Sequence, residues 1–216
     1  MTRTVLLSLF LLPAALPVLA QSKVPEPARR DVIVVTGTWE PLPLEEADRA
    51  VLSLPAREQS ILFANVMDLL QLDPSLDLRR RAPTGVQSDL SIRGATFGQT
   101  LVLLNGRRMN DPQSGHHSLD IPLPFDAIQA VEVLRGAGST LYGSDALGGA
   151  VNFIPAAPES WQARLRLAGG SFGTQQQFAS VSGVIGKIAE HIALSRDFST
   201  GFMPNRDYRN LAASSH

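Results

Sequence analysis

The sequence of 216 residues contains no cysteine. Disulfides, cysteine-ligated zinc and thiol nucleophiles are therefore excluded, and a cysteine-free chain suits an oxidising compartment. Lysine is nearly missing as well, at Lys23 and Lys187 only, so arginine carries almost all the positive charge. A net charge of −1 gives no broad attraction to nucleic acid or to anionic membranes. There are four histidines, His116, His117, His191 and His216. Neither a Gly-x-Ser-x-Gly elbow, nor Gly-Lys-Ser/Thr, nor Gly-x-Gly-x-x-Gly opening a helix is present, so neither an enzyme nor a nucleotide site is expected, and no cofactor. Past the first twenty residues, no run is long and apolar enough to cross a membrane as a helix.

What is present begins with Arg3, an apolar stretch over 5–12, Pro13, Pro17 and then Val18, Leu19 and Ala20. This predicts a secretory signal peptide over 1–20, cleaved after Ala20. Residues 21–48 read as a linker carrying Pro25 and Pro27, with one strand-prone exception at 31–37: Asp31, Val32, Ile33, Val34, Val35, Thr36 and Gly37. Such a run is either an edge strand of the domain that follows or a segment that adds to a partner's sheet edge.

A domain is expected over 49–156. It should hold a strand at 50–54, an amphipathic helix over 61–72 that ends before Pro74, with Met67 as core filler, and a strand at 76–79. Arg79, Arg80 and Arg81 read as a solvated loop. The densest signals lie in 90–154. Residues 101–104 form an apolar run that predicts a strand covered on both faces, and Asn105-Gly106 predicts a tight hairpin. Two apolar strands end in Arg-Gly, at Arg93-Gly94 and Arg135-Gly136, and the second opens a loop with Gly138, Gly143, Gly148 and Gly149. Apolar residues between these glycines argue for backbone threaded through a crowded space. The loop at 110–120 contains His116 and His117, whose adjacency on extended chain turns them apart, so no metal site is expected.

Leu-Val-Leu-Leu-Asn-Gly-Arg (101–107) and Leu-Tyr-Gly-Ser-Asp-Ala-Leu-Gly-Gly (141–149) closely resemble the plug domain of TonB-dependent outer-membrane receptors, nearest to the vitamin B12 and catecholate-siderophore receptor branch. The resemblance spans about 31–154. It implies that 31–37 is the TonB box, which pairs with the periplasmic protein TonB. It implies that Arg93 and Arg135 face acidic residues of a surrounding barrel; read from the residues alone, they are either exposed or paired locally, with Glu132 one partner for either. It also implies that the loop with Asp111, Gln113, His116 and His117 faces a siderophore- or cobalamin-type substrate.

From Trp161 onward the pattern changes to period two. Trp161, Ala163, Leu165 and Leu167 alternate with polar residues, and two further alternating runs follow. Together with the resemblance this predicts the first strands, about three, of a transmembrane β-barrel over 157–216. The expected fold class is thus an α+β plug, a small mixed sheet with short helices and long loops, followed by the antiparallel start of a truncated barrel. Members of the family continue to about 22 strands, so the expectation is a truncated outer-membrane receptor unable to transport alone. The alternative is a stand-alone periplasmic plug-like binding protein. If the truncated-receptor expectation holds, Arg93 and Arg135 should lie on the plug's surface, unpaired by barrel residues.

Overall fold

The computed structural model describes residues 33–34, 36–38, 40–81 and 87–216. The predicted signal peptide, residues 21–30, and Asp31, Val32 and Val35 of the strand-prone run lie outside the described residues.

In chain order the strands and helices are β1 (Ile33–Val34), β2 (Leu42–Pro43), β3 (Val51–Leu54), α1 (Ala56–Gln59), α2 (Val66–Leu70), β4 (Leu76–Arg80), β5 (Ser88–Ile92), β6 (Thr100–Leu104), β7 (Arg107–Arg108), β8 (Ile128–Arg135), α3 (Ser139–Tyr142) and β9 (Gly149–Pro155). Four longer strands follow: β10 (Gln162–Gly169), β11 (Gln175–Ile185), β12 (Ile188–Ser199) and β13 (Tyr208–Ser215).

Five of the early strands form one mixed sheet in the order β3-β8-β9-β6-β7, with β6 and β9 parallel and the other pairs antiparallel. Both faces are covered. On one, Val102, Val131, Val133, Val151 and Phe153 pack with Met67, Leu69 and Leu70 of α2. On the other, Leu101, Leu103, Leu134 and Ala150 close around Ala146. The apolar run 101–104 is buried on alternate sides for this reason. Asn105 and Gly106 both take positive φ, 48° and 77°, as a type I′ hairpin requires.

The helix expected over 61–72 is not one helix. α1 occupies Ala56–Gln59 and α2 only Val66–Leu70, while Ile61 and Leu62 stand 85% and 77% exposed between them. The cause is a cap that apolar spacing does not register. Asn65 Oδ1 accepts from the Met67 and Asp68 amides at 2.9 and 3.1 Å, which fixes the helix start at Val66. Met67 is core filler as expected.

The arginine run is solvent-exposed as expected, but it is not all loop. Arg79 and Arg80 lie in β4, which pairs with β5; Arg80 contacts Asp68 at 2.6 Å and Arg81 contacts Asp89 at 2.7 Å. Of these pairs, the one on Asp89 engages a buried carboxylate, while Arg79 stays open to solvent.

β10 to β13 form a consecutive antiparallel meander, unclosed, with β10 and β13 as edges. That is one strand more than expected. β13 carries Asn210, Ala212, Ala213, Ser214 and Ser215, so its alternation is too weak in hydrophobicity to read. One face is apolar and open: Leu165, Leu167, Ile192, Leu194 and Leu211 are all exposed. The opposite face carries Phe178 and Ala193 into the same core as α2 and the mixed sheet.

The glycine signal is sharpest at Gly149, where φ is +141° and a Cβ would stand 2.1 Å from the Leu134 carbonyl oxygen. Gly149→Ala should therefore lower the stability of the refolded chain by about 3 kcal/mol or more, whereas Gly98→Ala, whose nearest neighbour atom is 4.0 Å away, should change it little. Equal thermal midpoints for the two variants would show that β8 and β9 do not need this close approach.

Candidate functional site

Glu132 of β8 and Asn152 of β9 are cross-strand partners, two polar side chains side by side at the centre of the mixed sheet. Both are buried, and both turn toward Thr36, which is itself fully buried. The Thr36 amide donates to Glu132 Oε2 at 2.8 Å, and Asn152 Nδ2 donates to Thr36 Oγ1 at 3.0 Å. The next amide, of Gly37, donates to the Tyr142 hydroxyl at 3.1 Å. Upstream, Ile33 and Val34 pair with Pro43 and Leu42 as a two-stranded ribbon apart from the main sheet. So the described residues of the run at 31–37 form neither a free tail nor an edge of the main sheet. Its described front end is a short hairpin and its back end is fastened to β8, β9 and α3.

The two Arg-Gly arginines differ. Arg93, at φ +52°, is exposed and makes no ion pair among the described residues. Its guanidinium lies 3.7 Å from where a Gly136 Cβ would stand. Arg135 instead grips Asp73 with two bonds, Nε to Oδ2 and Nη2 to Oδ1, each 3.0 Å. Glu132 is not its partner, because residues 132 and 135 of one strand point to opposite faces. Asp73 is fully buried. Burial alone would raise its carboxyl, but bonds from Ser75 and Arg135 outweigh that and hold it below the ordinary carboxylate range.

In the loop at 110–120, the Asp111 carboxylate accepts from the Gln113 and Ser114 amides at 3.1 and 2.9 Å and from the Ser114 hydroxyl, which closes a tight turn. Gln113 is exposed. His116 and His117 diverge as expected. His116 Nδ1 faces Asp89 Oδ1 at 3.0 Å with its ring 4.3 Å from Phe97, and His117 Nδ1 faces Asp120 Oδ2 at 2.8 Å. Asp89 is buried, which works against ionisation, but bonds from His116 and Arg81 lower its carboxyl nonetheless. No group of three or more His, Asp or Glu able to hold a metal occurs among the described residues.

The meander's inner face meets the mixed-sheet domain through polar contacts that sequence reasoning missed. Arg166 Nη1 donates to Asp126 Oδ2 at 3.0 Å, Gln176 Nε2 to the Ala64 carbonyl at 3.0 Å, and Arg57 Nη2 to Gln162 Oε1 at 2.9 Å. Alternation marks Arg166 and Gln176 as polar-face residues. Nothing in a single sequence names Asp126 or Ala64 as what they touch.

Residues 46–150 match the family model for the TonB-dependent receptor plug domain. The chain carries a TonB-dependent receptor plug. It is similar to a vitamin B12 transporter BtuB of Photobacterium profundum, 30% identical over 213 residues that cover 94% of this chain and 33% of that protein. It is also similar to an iron-regulated outer membrane virulence protein of Vibrio cholerae serotype O1, 33% identical over 148 residues, covering 64% of this chain and 22% of that one. Among solved structures, P. aeruginosa FpvA bound to a heterologous pyoverdine superposes with a TM-score of 0.70 at 16% identity, covering 85% of this chain and 24% of its own. The alcaligin outer-membrane receptor FauA of Bordetella pertussis gives 0.65 at 20% identity, covering 82% and 30%. These likenesses speak to fold. The chain spans about a third of the length of the curated relatives it matches.

The plug's buried carboxylates set an acid limit. Asp73 and Asp89 hold protons less tightly folded than unfolded. The stability they add is complete at neutral pH and is lost as pH falls below about 4. Asp73→Asn should therefore be less stable than the parent at pH 7, with the gap narrowing toward about pH 3 in denaturant titrations. A gap of constant size would mean that the Asp73 charge contributes nothing.

Proposed function

We propose that this chain serves a TonB-dependent outer-membrane receptor that takes up a scarce nutrient of the ferric-siderophore or cobalamin kind, with residues 31–37 as the TonB box. The observation that carries the reading is the amphipathic meander joined to the plug. Its inner face is docked on the plug through Phe178, Ala193 and the Arg166–Asp126 pair, while the outer face presents leucines and isoleucines to the surroundings. That is the division of labour of a barrel wall, lumen on one side and lipid on the other. The edges at β10 and β13 leave backbone groups unpaired, so a spanning wall needs further strands beside them.

In this reading the loop at 110–120 faces outward and meets the ligand through Gln113, His116 and His117, with Asp111 shaping the turn. Arg93, exposed and unpaired among the described residues, is the plug arginine available to an acidic residue of the wall. Arg135 and Glu132 act from within the plug, the first through Asp73 and the second through Thr36. The names of the relatives support the ligand class, and the role implied is uptake and not catalysis. Ligand binding frees the box, TonB takes it as an added strand, and the proton gradient of the inner membrane supplies the work of moving the plug.

Two measurements test this. A TonB periplasmic domain should retain the full chain in a pull-down and lose it on Val34→Pro, because proline removes a ladder donor. Equal retention would overturn the box assignment. The full chain should also need detergent to remain monodisperse, since its outer face is apolar. A soluble folded monomer in plain buffer would favour a periplasmic plug-like binding protein instead.

A further inference from the structure

The buried carboxamide of Asn152 makes two bonds that lead in opposite directions. Its Nδ2 donates to Thr36 Oγ1 at 3.0 Å, and its Oδ1 accepts from the Gly106 amide at 3.0 Å. Gly106 is the turn of the β6–β7 hairpin. At the far end of that hairpin, Asn110 Oδ1 accepts from the Val102 amide at 2.7 Å, and Asn110 Nδ2 donates to the Thr100 carbonyl at 3.0 Å. Asn110 is also the first residue of the loop with Asp111, Gln113, His116 and His117. The hairpin is thus a short stiff bar. One end is pinned to the candidate ligand loop, and the other is pinned, through Asn152 alone, to the residue that fastens the box.

The geometry points to Asn152 as the residue that couples the ligand loop to the release of residues 31–37. This rests on the functional reading above and adds to it which atoms carry the message. β6 lies between β9 and β7 in the sheet and pairs with β9 in parallel register, Leu103 opposite Asn152. β6 is held to β9 by this parallel ladder and by the Asn105 amide on the Phe153 carbonyl at 2.8 Å, so a displacement at the turn itself reaches Asn152 through the Gly106 bond. A primary amide with both ends engaged cannot follow Gly106 without drawing Nδ2 off Thr36. Glu132, opposite Asn152 on β8, holds the Thr36 amide independently. The fastening is therefore loosened by degrees and not lost at once. Residues 36 and 37 also set a limit: a pull on the segment before them loads β8 and β9 through Thr36 and α3 through Gly37.

Hydrogen exchange on the full chain in detergent micelles tests it, with no ligand and no TonB required. Thr36→Val keeps the shape and removes the Asn152 contact. It should raise exchange at the Thr36 and Gly37 amides about tenfold, the equivalent of one lost hydrogen bond. It should also raise exchange at Gly106, because coupling is reciprocal, while leaving the Met109 amide, bonded to Val102 O, and the amides of β10–β13 unchanged. Faster exchange at Thr36 with Gly106 unaffected would overturn the coupling and leave a simple anchor. No change at Thr36 would overturn the anchor too. Asn152→Leu should reproduce the effect at both amides. Should that variant fail to fold, Thr36→Val decides alone. Failure of the Val34→Pro pull-down with these exchange results intact would sink the box assignment and not the linkage between Gly106 and Thr36.

Discussion

The pairing of β8 with β9 is the constraint on which the remaining structure hangs. These strands are central in the mixed sheet, and each face of the pair is the floor of one apolar core. Their approach is so close at Gly149 that the Leu134 carbonyl occupies the space of a side chain. The pair also carries the polar devices that hold the plug interior together. Glu132 and Asn152 fasten Thr36 from adjacent positions, and Arg135 ends β8 in the grip of Asp73. A buried carboxylate and a buried carboxamide in a sheet interior cost stability unless their hydrogen bonds are made. Here the Gly106 amide makes one of them, and Thr36, of the segment that the proposed function hands to a partner, makes two more.

Much of this is legible in the sequence, for physical reasons that differ by element. The strand at 101–104 and the Asn105-Gly106 turn rest on local rules, burial on two faces and tolerance of positive φ, and the structure has both. The glycines foretell close packing, and Gly148 and Gly149 show it. The helix over 61–72 fails because periodicity counts faces and ignores caps; Asn65 decides the matter with one oxygen. β13 escapes notice because its Ala-Ala-Ser-Ser end offers too little contrast between faces. The partners of Arg135, Arg166 and Thr36 lie 62, 40 and 96 residues away in sequence, and no local pattern encodes such a meeting. Family resemblance supplies the roles of residues 31–37 and of the loop at 110–120, which the residues by themselves leave open.

The wall and the plug divide polarity in an instructive way. The resemblance implies plug arginines meeting wall acids, yet the ion pair in place runs the other way, from Arg166 of β10 to Asp126 of the plug. One plug arginine is satisfied at home by Asp73 and the other stands open. Among the described residues, Arg166–Asp126 is the ion pair that crosses this boundary, with the amide and carbonyl contacts of Gln162 and Gln176 beside it.

Phe178 and Ala193 sit in strands of the meander, yet they belong to the plug's own core. The order of assembly follows from that. Hairpins β10–β11 and β11–β12 are local and form quickly, but their inner face has nothing to bury against until α2 and the mixed sheet are in place. The mixed sheet and α2 are thus the surface against which the meander is laid, and Phe178 has no partner to bury against before they are in place.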